Sequence, residues 1–549
     1  MDDNTRKSGA FRYKDYFLNI FLPILCYCGG TGIIVGIFIS FYLYGANWLL
    51  QKSVWIYSFV AANPGYIPLL FAGLTALALL MRLLFKFIPE VTGSGIPQTE
   101  GLLRGIITFK WLKILLGTLI GGYISFFAGL PLGSEGPSVQ MGACLAQGAS
   151  ELTDNKRAWR RYVYTGGASA GLAVACNAPL TGIVFALEEA HKRITPMILL
   201  SAGASVLTGT LVSAFINKHV LKTGGYMFPL ENLVAPNIKY VWMLLLLGVL
   251  VGLLAAVYNL VIFRFKKPGA KKSVPLTLKL IAVFVLTGVA GLFLPQVLGG
   301  GHELVNDILN NNISWVIISI VLVVKFILIL LCSNSGATGG MFIPMLALGA
   351  LIGALCGKLF MLWGLPPESF NVIVVIGMTA FMGAVVRAPV TAMILVIELT
   401  GQLAGFLLTG ITIFTAMFVI EILNVEPLYD KLLSIILKQN RSAAPKSIFY
   451  IDMVVKEGAF VVGKSVRDIL WPARTLVLKI TNLSSAKAGT DKDGEKKIKP
   501  DDLFTVQIET ARLFEDIDYL IDLFGKDSLV AVKSDEALVK QNLPDRENL

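Results

Sequence analysis

Gly133-Ser134-Glu135-Gly136-Pro137 sets a single carboxylate between glycines, inside sequence that is otherwise apolar (Phe126 to Leu132 before it, Val139 to Cys144 after it). Proline is at home in the first turn of a helix, where its missing N–H had no partner to lose. Glycine lets backbone come close to a ligand. The stretch therefore predicts a helix start with Glu135 in it. A helix start presents unpaired N–H donors and about half a positive charge, so an anion and the Glu135 carboxylate would compete for one place. A lone acid within membrane sequence is costly and by default functional. Such a side chain can swing in as an anion mimic and out when protonated, serving as both gate and proton carrier.

Two more segments repeat the pattern, Gly93-Ser94-Gly95-Ile96-Pro97 and Gly339-Gly340-Met341-Phe342-Ile343-Pro344. Any one of them alone reads as close helix packing through small residues. Three helix starts aimed at one point, with an acid among them, read as an anion site built without a full cation. That suits transport, because a buried Lys or Arg would hold the anion too tightly to release it.

The rest of the chain supplies the solvent for such a site. Of 549 residues 55% are hydrophobic and 15% charged, with a mean hydropathy of +0.71; soluble domains carry about 25% charged residues. A membrane helix needs about 20 apolar residues. Candidate spans are Phe17–Tyr44, Ile67–Phe87, Ile114–Leu132, Ile198–Ile216, Val241–Phe263, Trp315–Leu331, Met341–Trp363 and Phe406–Leu423. Between them lie shorter apolar stretches broken by Gly and Pro, tolerated only where protein or a watery cavity satisfies the freed backbone. The net charge of +11 comes from clusters at segment flanks: Arg6–Lys14, Lys156–Arg161, Arg264–Lys272 and Lys431–Arg441. This is a positive-inside pattern that favours anionic lipid, and no aromatic-basic domain points to nucleic acid. Residues 1–14 are polar, read as cytoplasmic, and no cleavable signal pattern opens the chain.

The membrane part, 15–439, contains a repeat. Asn177-Ala-Pro-Leu-Thr181 through Glu188 returns as Arg387-Ala-Pro-Val-Thr391 through Glu398, at an offset of 387 − 177 = 210. Gly167 and Gly377 keep that offset, while Pro137 and Gly142 match Pro344 and Gly349 at 344 − 137 = 207. Two halves, roughly 15–216 and 238–439, would bring broken helices face to face around a midplane site.

Glu188 and Glu189 form a second acidic spot, followed by His191, Lys192 and Arg193. Both readings, a solvated helix end and a proton entrance, stay open on chemistry alone. The cysteines Cys26, Cys28, Cys144, Cys176, Cys332 and Cys356 make no CxxC pair and read as free, buried thiols. No metal site or cofactor motif is legible. Gly167-Ala-Ser169-Ala-Gly171 fits the nucleophile-elbow pattern, but it lies in an apolar helical run without Asp and His partners and is not read as an enzyme site. No Walker motif and no TVGYG-like filter occur, which argues against ATP-driven pumping and potassium conduction.

After Tyr429 the chain changes character. Residues 440–446 read as a linker, 447–530 as a small soluble α+β domain and 531–549 as a polar tail. Thr475–Ile480 and Leu503–Ile508 have strand character, Ser484–Lys499 reads as a loop, and Asp516–Phe524 has helical spacing.

The ordered set GSGIP, GSEGPSVQ, NAPLTGIVFALEEA, GGMFIP and a late Pro427-Leu-Tyr429 is similar to the motif set of the CLC family of chloride channels and chloride/proton exchangers, over roughly 15–440. The resemblance implies an all-α membrane fold with inverted repeats and broken helices, a homodimer with one pathway per subunit, and both termini cytoplasmic. It implies that Ser94 contacts the central anion and that Ser at this place favours chloride. Glu135 resembles the gating glutamate. The segments at Gly95-Ile96 and Gly136 and the amides of Met341 and Phe342 resemble the anion's backbone donors. Tyr429 resembles the inner tyrosine, and Glu189 the internal proton glutamate of exchangers. Exchange of chloride for protons is therefore expected, with a passive chloride channel of the same fold as the alternative. The family commonly has a basic residue where Ser134 stands, and Lys113 is the nearest candidate for its buried lysine. Gly463–Leu470, Thr475–Ile480 and Asp501–Val506 are similar to the TrkA-C type of regulatory domain, which implies dimerisation and either a small-molecule or nucleotide ligand or no ligand at all. The compact chain suggests a bacterial plasma membrane.

Overall fold

The computed structural model describes residues 21–153, 157–223, 227–228, 234–266, 274–310, 313–403, 405–439, 447–482, 494–510 and 512–534. The segment 1–14, the linker 440–446, most of the loop at 484–499 and the tail from 535 lie outside them.

The first repeat comprises α1 (Leu22–Ala62), α2 (Ile67–Phe87), α3 (Ile96–Leu103), α4 (Trp111–Phe127), α5 (Glu135–Leu152), α6 (Arg157–Cys176), α7 (Pro179–Phe185) and α8 (Pro196–His219). The second comprises α9 (Val241–Phe265), α10 (Leu276–Phe293), α11 (His302–Leu309), α12 (Trp315–Ser335), α13 (Phe342–Leu362), α14 (Phe370–Val386), α15 (Pro389–Thr400), α16 (Phe406–Ile422) and α17 (Leu428–Gln439). Eight helices among the described residues are long and apolar enough to cross a membrane.

The repeat matches are helix crossings. In α5 against α6, Gly142 and Gly167 lie so close that a methyl on either would strike the other's carbonyl; Gly349 and Gly377 do the same for α13 against α14. Without a hydrophobic drive between helices in lipid, such backbone contact is what holds them. Gly32 and Gly36 on α1 meet Ser205 and Gly209 on α8, and Gly248 and Gly252 on α9 meet Thr412 and Ala416 on α16.

Several expectations change. The first span does not end at Tyr44. It continues through Asn47, Gln51 and Lys52 to Ala62, because α-helical hydrogen bonding tolerates polar residues where they face the headgroups or protein. Its 41 residues make roughly 60 Å of helix. The span expected at Ile114–Leu132 stops at Phe127; Gly129, at φ +73°, and Pro131 turn the chain before Glu135. Two spans went unread. Lys279 and the closing Phe293-Leu-Pro295 kept α10 below the length of a clean apolar run. The other is Pro367–Val386, in which a short 3-10 turn leads into α14; it is long and apolar enough to span, and protein surrounds nearly all of it. Lys113 is exposed, whereas Lys325 on α12 is wholly buried, its ammonium donating to the carbonyls of Val297 (3.1 Å) and Gly299 (2.9 Å). Cys26 is exposed, and the other five thiols are buried.

The C-terminal unit is a four-stranded antiparallel sheet in the order β2-β3-β1-β4, built from β1 (Ser447–Val454), β2 (Thr475–Asn482), β3 (Asp502–Thr510) and β4 (Leu529–Ser534), with α18 (Leu513–Phe524) on one face. Strict alternation of buried and half-buried residues along β3 fixes that face, where Phe504 and Val506 meet Leu520 and Phe524. The unit runs past the expected 530, since β4 (Leu529–Ser534) adds an edge strand to β1.

Candidate functional site

The three glycine-rich segments converge. Gly133 and Gly340 exchange both backbone hydrogen bonds, Gly133 N–H to Gly340 O at 2.8 Å and Gly340 N–H to Gly133 O at 2.7 Å, so the repeats join where α5 and α13 begin. Gly93 N–H donates to Gly336 O at 2.8 Å and Gly339 N–H to Gly93 O at 3.2 Å, adding the start of α3. A side chain at Gly136 would collide with the Ser94 carbonyl, which makes glycine obligatory there. Gly95 holds φ +85°, a left-handed conformation that turns the chain into Ile96. The first-turn amides at Ile96, Gly136, Met341 and Phe342 therefore lie at one convergent locus, all buried.

Glu135 is in that locus, with no exposure to solvent. One carboxylate oxygen accepts from Ser134 Oγ at 3.1 Å; the other makes no well-formed hydrogen bond among the described residues and lies against the first turn of α13, within reach of the Ile343 amide. The carboxylate occupies the ground an anion would take.

Behind it, toward the other side, the buried hydroxyls of Ser94 and Tyr429 stand within reach of each other, and neither has any other hydrogen-bond partner among the described residues. Buried hydroxyls are normally fully paired, so two that have only each other leave room for a third group. Tyr429, at the start of α17, is also within electrostatic reach of Glu189.

Glu189 is 4% exposed, and neither of its carboxylate oxygens has a hydrogen-bond partner among the described residues. It lies in a single π-turn, Ala186–Ala190, an arrangement that often marks functional sites. Its neighbour does something different. Glu188 accepts from the amides of Val390 (3.1 Å) and Thr391 (2.6 Å) and from Thr391 Oγ1 (2.6 Å), capping α15. Glu398 returns the contact, accepting from the amides of Leu180 and Thr181 (both 2.8 Å) and from Thr181 Oγ1 (2.7 Å) at the start of α7. Of the two acids expected together at the proton entrance, the helix start of the other repeat takes up both Glu188 oxygens, whereas those of Glu189 are free of such bonds among the described residues.

Sequence reasoning missed the charges around Glu189. Glu100, Lys192 and Asp430 line a small cavity with Glu189 and Tyr429. Arg104 donates to Glu100 Oε2 (3.1 Å), Asp430 Oδ1 (3.2 Å), the Ala190 carbonyl (2.9 Å) and the Glu189 carbonyl (3.2 Å), and Lys192 pairs with Asp430. The signal was present, since Glu100 and Arg104 are four apart on the helix that GSGIP opens and Asp430 follows Tyr429.

The C-terminal unit touches this layer through Arg161. Its Nε and Nη2 donate to the Leu103 carbonyl (2.9 and 2.8 Å) at the end of α3, and its Nη1 to the carbonyls of Leu470 (3.2 Å) and Trp471 (2.8 Å).

A family model described as voltage gated chloride channel matches residues 72–421. The H(+)/Cl(-) exchange transporter ClcA of Vibrio campbellii is 35% identical over 369 residues, covering 65% of this chain and 77% of the relative. ClcA of Vibrio cholerae is 31% identical over 448 residues, covering 78% and 92%. Among solved structures, a slow cyanobacterial Cl−/H+ antiporter superposes with a TM-score of 0.70 at 28% identity, covering 76% of this chain and 99% of that one. A CLC-type fluoride/proton antiporter, at 18% identity and a TM-score of 0.61, shares the fold.

Proposed function

The chain belongs to the voltage-gated chloride channel family, and on that footing we propose that it exchanges chloride for protons, with Glu135 as gate and outer proton carrier and Glu189 as inner proton carrier. The observation that carries this reading is the line of unsatisfied buried groups. Glu135, Ser94, Tyr429 and Glu189 follow one another across the two repeats, each with a buried polar atom that has no partner outside this set among the described residues. A passive anion path needs the first three, whereas a buried, unpaired acid at Glu189 is useful only if it takes a proton and gives it up.

Chloride would bind where the helix starts of α3, α5 and α13 converge, held by amides and two hydroxyls rather than by a cation, so that it can leave. When Glu135 is ionised, it competes for the outer part of that locus. When protonated, it loses its attraction to the helix starts and yields to the anion. The proton then has Glu189 as its exit, close to Lys192, Asp430 and the water-facing side.

The test uses purified protein in chloride-loaded liposomes at controlled membrane potential. A chloride gradient should drive protons uphill. Chloride flux without coupled protons would make this chain a channel and leave Glu189 a helix-end acid. No anion flux from folded protein would remove the reading altogether.

Two further assignments belong to the same proposal. The chain works as a homodimer, both termini cytoplasmic, with apolar faces on α8 (Leu207, Leu211, Phe215) and α16 (Leu407, Phe414, Phe418) meeting their copies; their exposure supports this. The C-terminal unit acts as a TrkA-C-like regulatory module. Cross-linking in membranes through paired cysteines on α16 tests the first assignment.

A further inference from the structure

We propose that Tyr42 is the outer partner of Glu135: its phenol O–H donates to the carbonyl oxygen of the protonated carboxyl once that side chain has left the helix starts. The proposal rests on the gating role given to Glu135 above.

Tyr42, on α1, is 2% exposed, and its hydroxyl has no hydrogen-bond partner among the described residues. It lies within electrostatic reach of the Glu135 carboxylate. The ring is fixed, because Tyr123 of α4 stacks on it at 5.5 Å and 20° and donates its own hydroxyl to the Tyr42 carbonyl at 3.4 Å. Room for the hydroxyl comes from Gly122, where a methyl group would lie 2.8 Å from the phenol oxygen. The adjacent Gly121 abuts Thr338, two residues before Gly340, which itself borders the unpartnered Glu135 oxygen. Two orphaned polar groups thus stand on either side of a wall made of glycines.

On the other side of Tyr42 opens a groove of about 430 Å³ that is otherwise lined by Ile34, Ile37, Phe38, Phe41, Leu119 and Tyr123, an apolar wall of the kind that lies against lipid. A polar group in such a place finds its partner inside the protein or has none. The second repeat supports the pattern. Gly32, Gly36 and Tyr42 return at an offset of 258 − 42 = 216 as Gly248, Gly252 and Tyr258, and Tyr258 is again buried with an unpartnered hydroxyl, this time beside Tyr429. One repeat-related phenol therefore stands at each end of the anion path.

The remaining titratable groups facing Glu135 are few. Cys176 of α6 is within electrostatic reach of it, Tyr123 stands behind Tyr42, and the Lys325 ammonium of α12 is turned to the carbonyls of Val297 and Gly299. The bond is absent while the carboxylate occupies the helix starts and forms only with the protonated, displaced form. Removing it therefore weakens the protonated form alone, and protonation requires lower pH.

Chloride flux from liposomes is recorded against external pH for the wild type, Tyr42→Phe, Glu135→Gln and the double variant. Tyr42→Phe should move the midpoint to lower pH by about half to one unit, the effect of one net hydrogen bond. In the Glu135→Gln background, where nothing titrates at that place, the same change should leave the flux without a pH midpoint to move. An unmoved midpoint in folded Tyr42→Phe overturns the proposal, as does an equal loss of rate in both backgrounds, which is a packing effect. Should Tyr42→Phe not fold, Gly122→Ala, which displaces the hydroxyl, must give the same acid-ward shift, and no shift overturns the proposal. Chloride-driven proton movement is measured in parallel on the wild type. Its absence sinks exchange, while the midpoint of chloride flux still decides on Tyr42.

Discussion

The two repeats share a frame and differ in where they put charge. Glu135 opens α5 and Phe342 opens α13 at the equivalent place (342 − 135 = 207). Seventeen residues earlier (135 − 118 and 342 − 325) the order reverses, with neutral Thr118 in the first repeat and Lys325 in the second. Glu188 and Glu398 correspond, and each caps a helix of the other half. One residue on, Glu189 corresponds to Leu399. Symmetric groups with all their bonds made hold the halves together. The groups that break the symmetry, Glu135 and Glu189, each keep at least one carboxylate oxygen without a partner among the described residues, and they are the ones to which the proposal gives the chemistry. The tyrosines Tyr42 and Tyr258 show that the missing partner is the better criterion, since they are symmetric and still unsatisfied.

The largest break in that comparison comes from making the two helix starts alike. Glu135→Gln gives both repeats a neutral residue there. Chloride should still move, but proton coupling should vanish and the flux should lose its pH dependence. Intact coupling in this variant would end the gate assignment. Glu189→Gln makes the other asymmetric place neutral. Protons should stop while chloride continues, read as chloride flux with no pH change outside.

The symmetric acids should behave differently. Glu188→Gln and Glu398→Gln each weaken a charge-assisted cap, worth about 1–2 kcal/mol at a helix N-terminus. Both should lower the thermal midpoint by similar amounts and leave the chloride-to-proton ratio where it was. A lost ratio in Glu188→Gln alone would return that residue to the proton path.

Much of this was legible beforehand, for a physical reason. Helix starts need Pro and Gly at fixed places, so GSGIP, GSEGP and GGMFIP announce themselves, and Glu135 stands out because acids are rare in apolar sequence. What stayed hidden depends on the third dimension. Nothing local separates Glu188 from Glu189, since the difference lies in a helix start 202 residues away (390 − 188). Lys325 reads as an oddity within a span until the carbonyls of Val297 and Gly299 come round to it. Tyr42 looks like any membrane tyrosine until its hydroxyl is seen to lack a partner.

The smallest expected effect concerns the contact between the membrane frame and the C-terminal sheet unit. Arg161 holds the last carbonyl of α3, Leu103, and the backbone at Leu470 and Trp471 with one guanidinium. A cation at a helix C-terminus steadies that end. The helix has only eight residues, about 12 Å, and its other end presents Ser94 and Ile96 to the anion locus. Arg161→Ala removes both contacts, whereas truncation before Ser447 removes only the second. Chloride affinity, read from flux against chloride concentration, should therefore shift a fewfold in Arg161→Ala and less in the truncated chain, with the proton ratio unchanged in both. Equal shifts would mean that the sheet, through Leu470 and Trp471, sets the position of α3. No shift in either would make Arg161 a fastener without influence on transport.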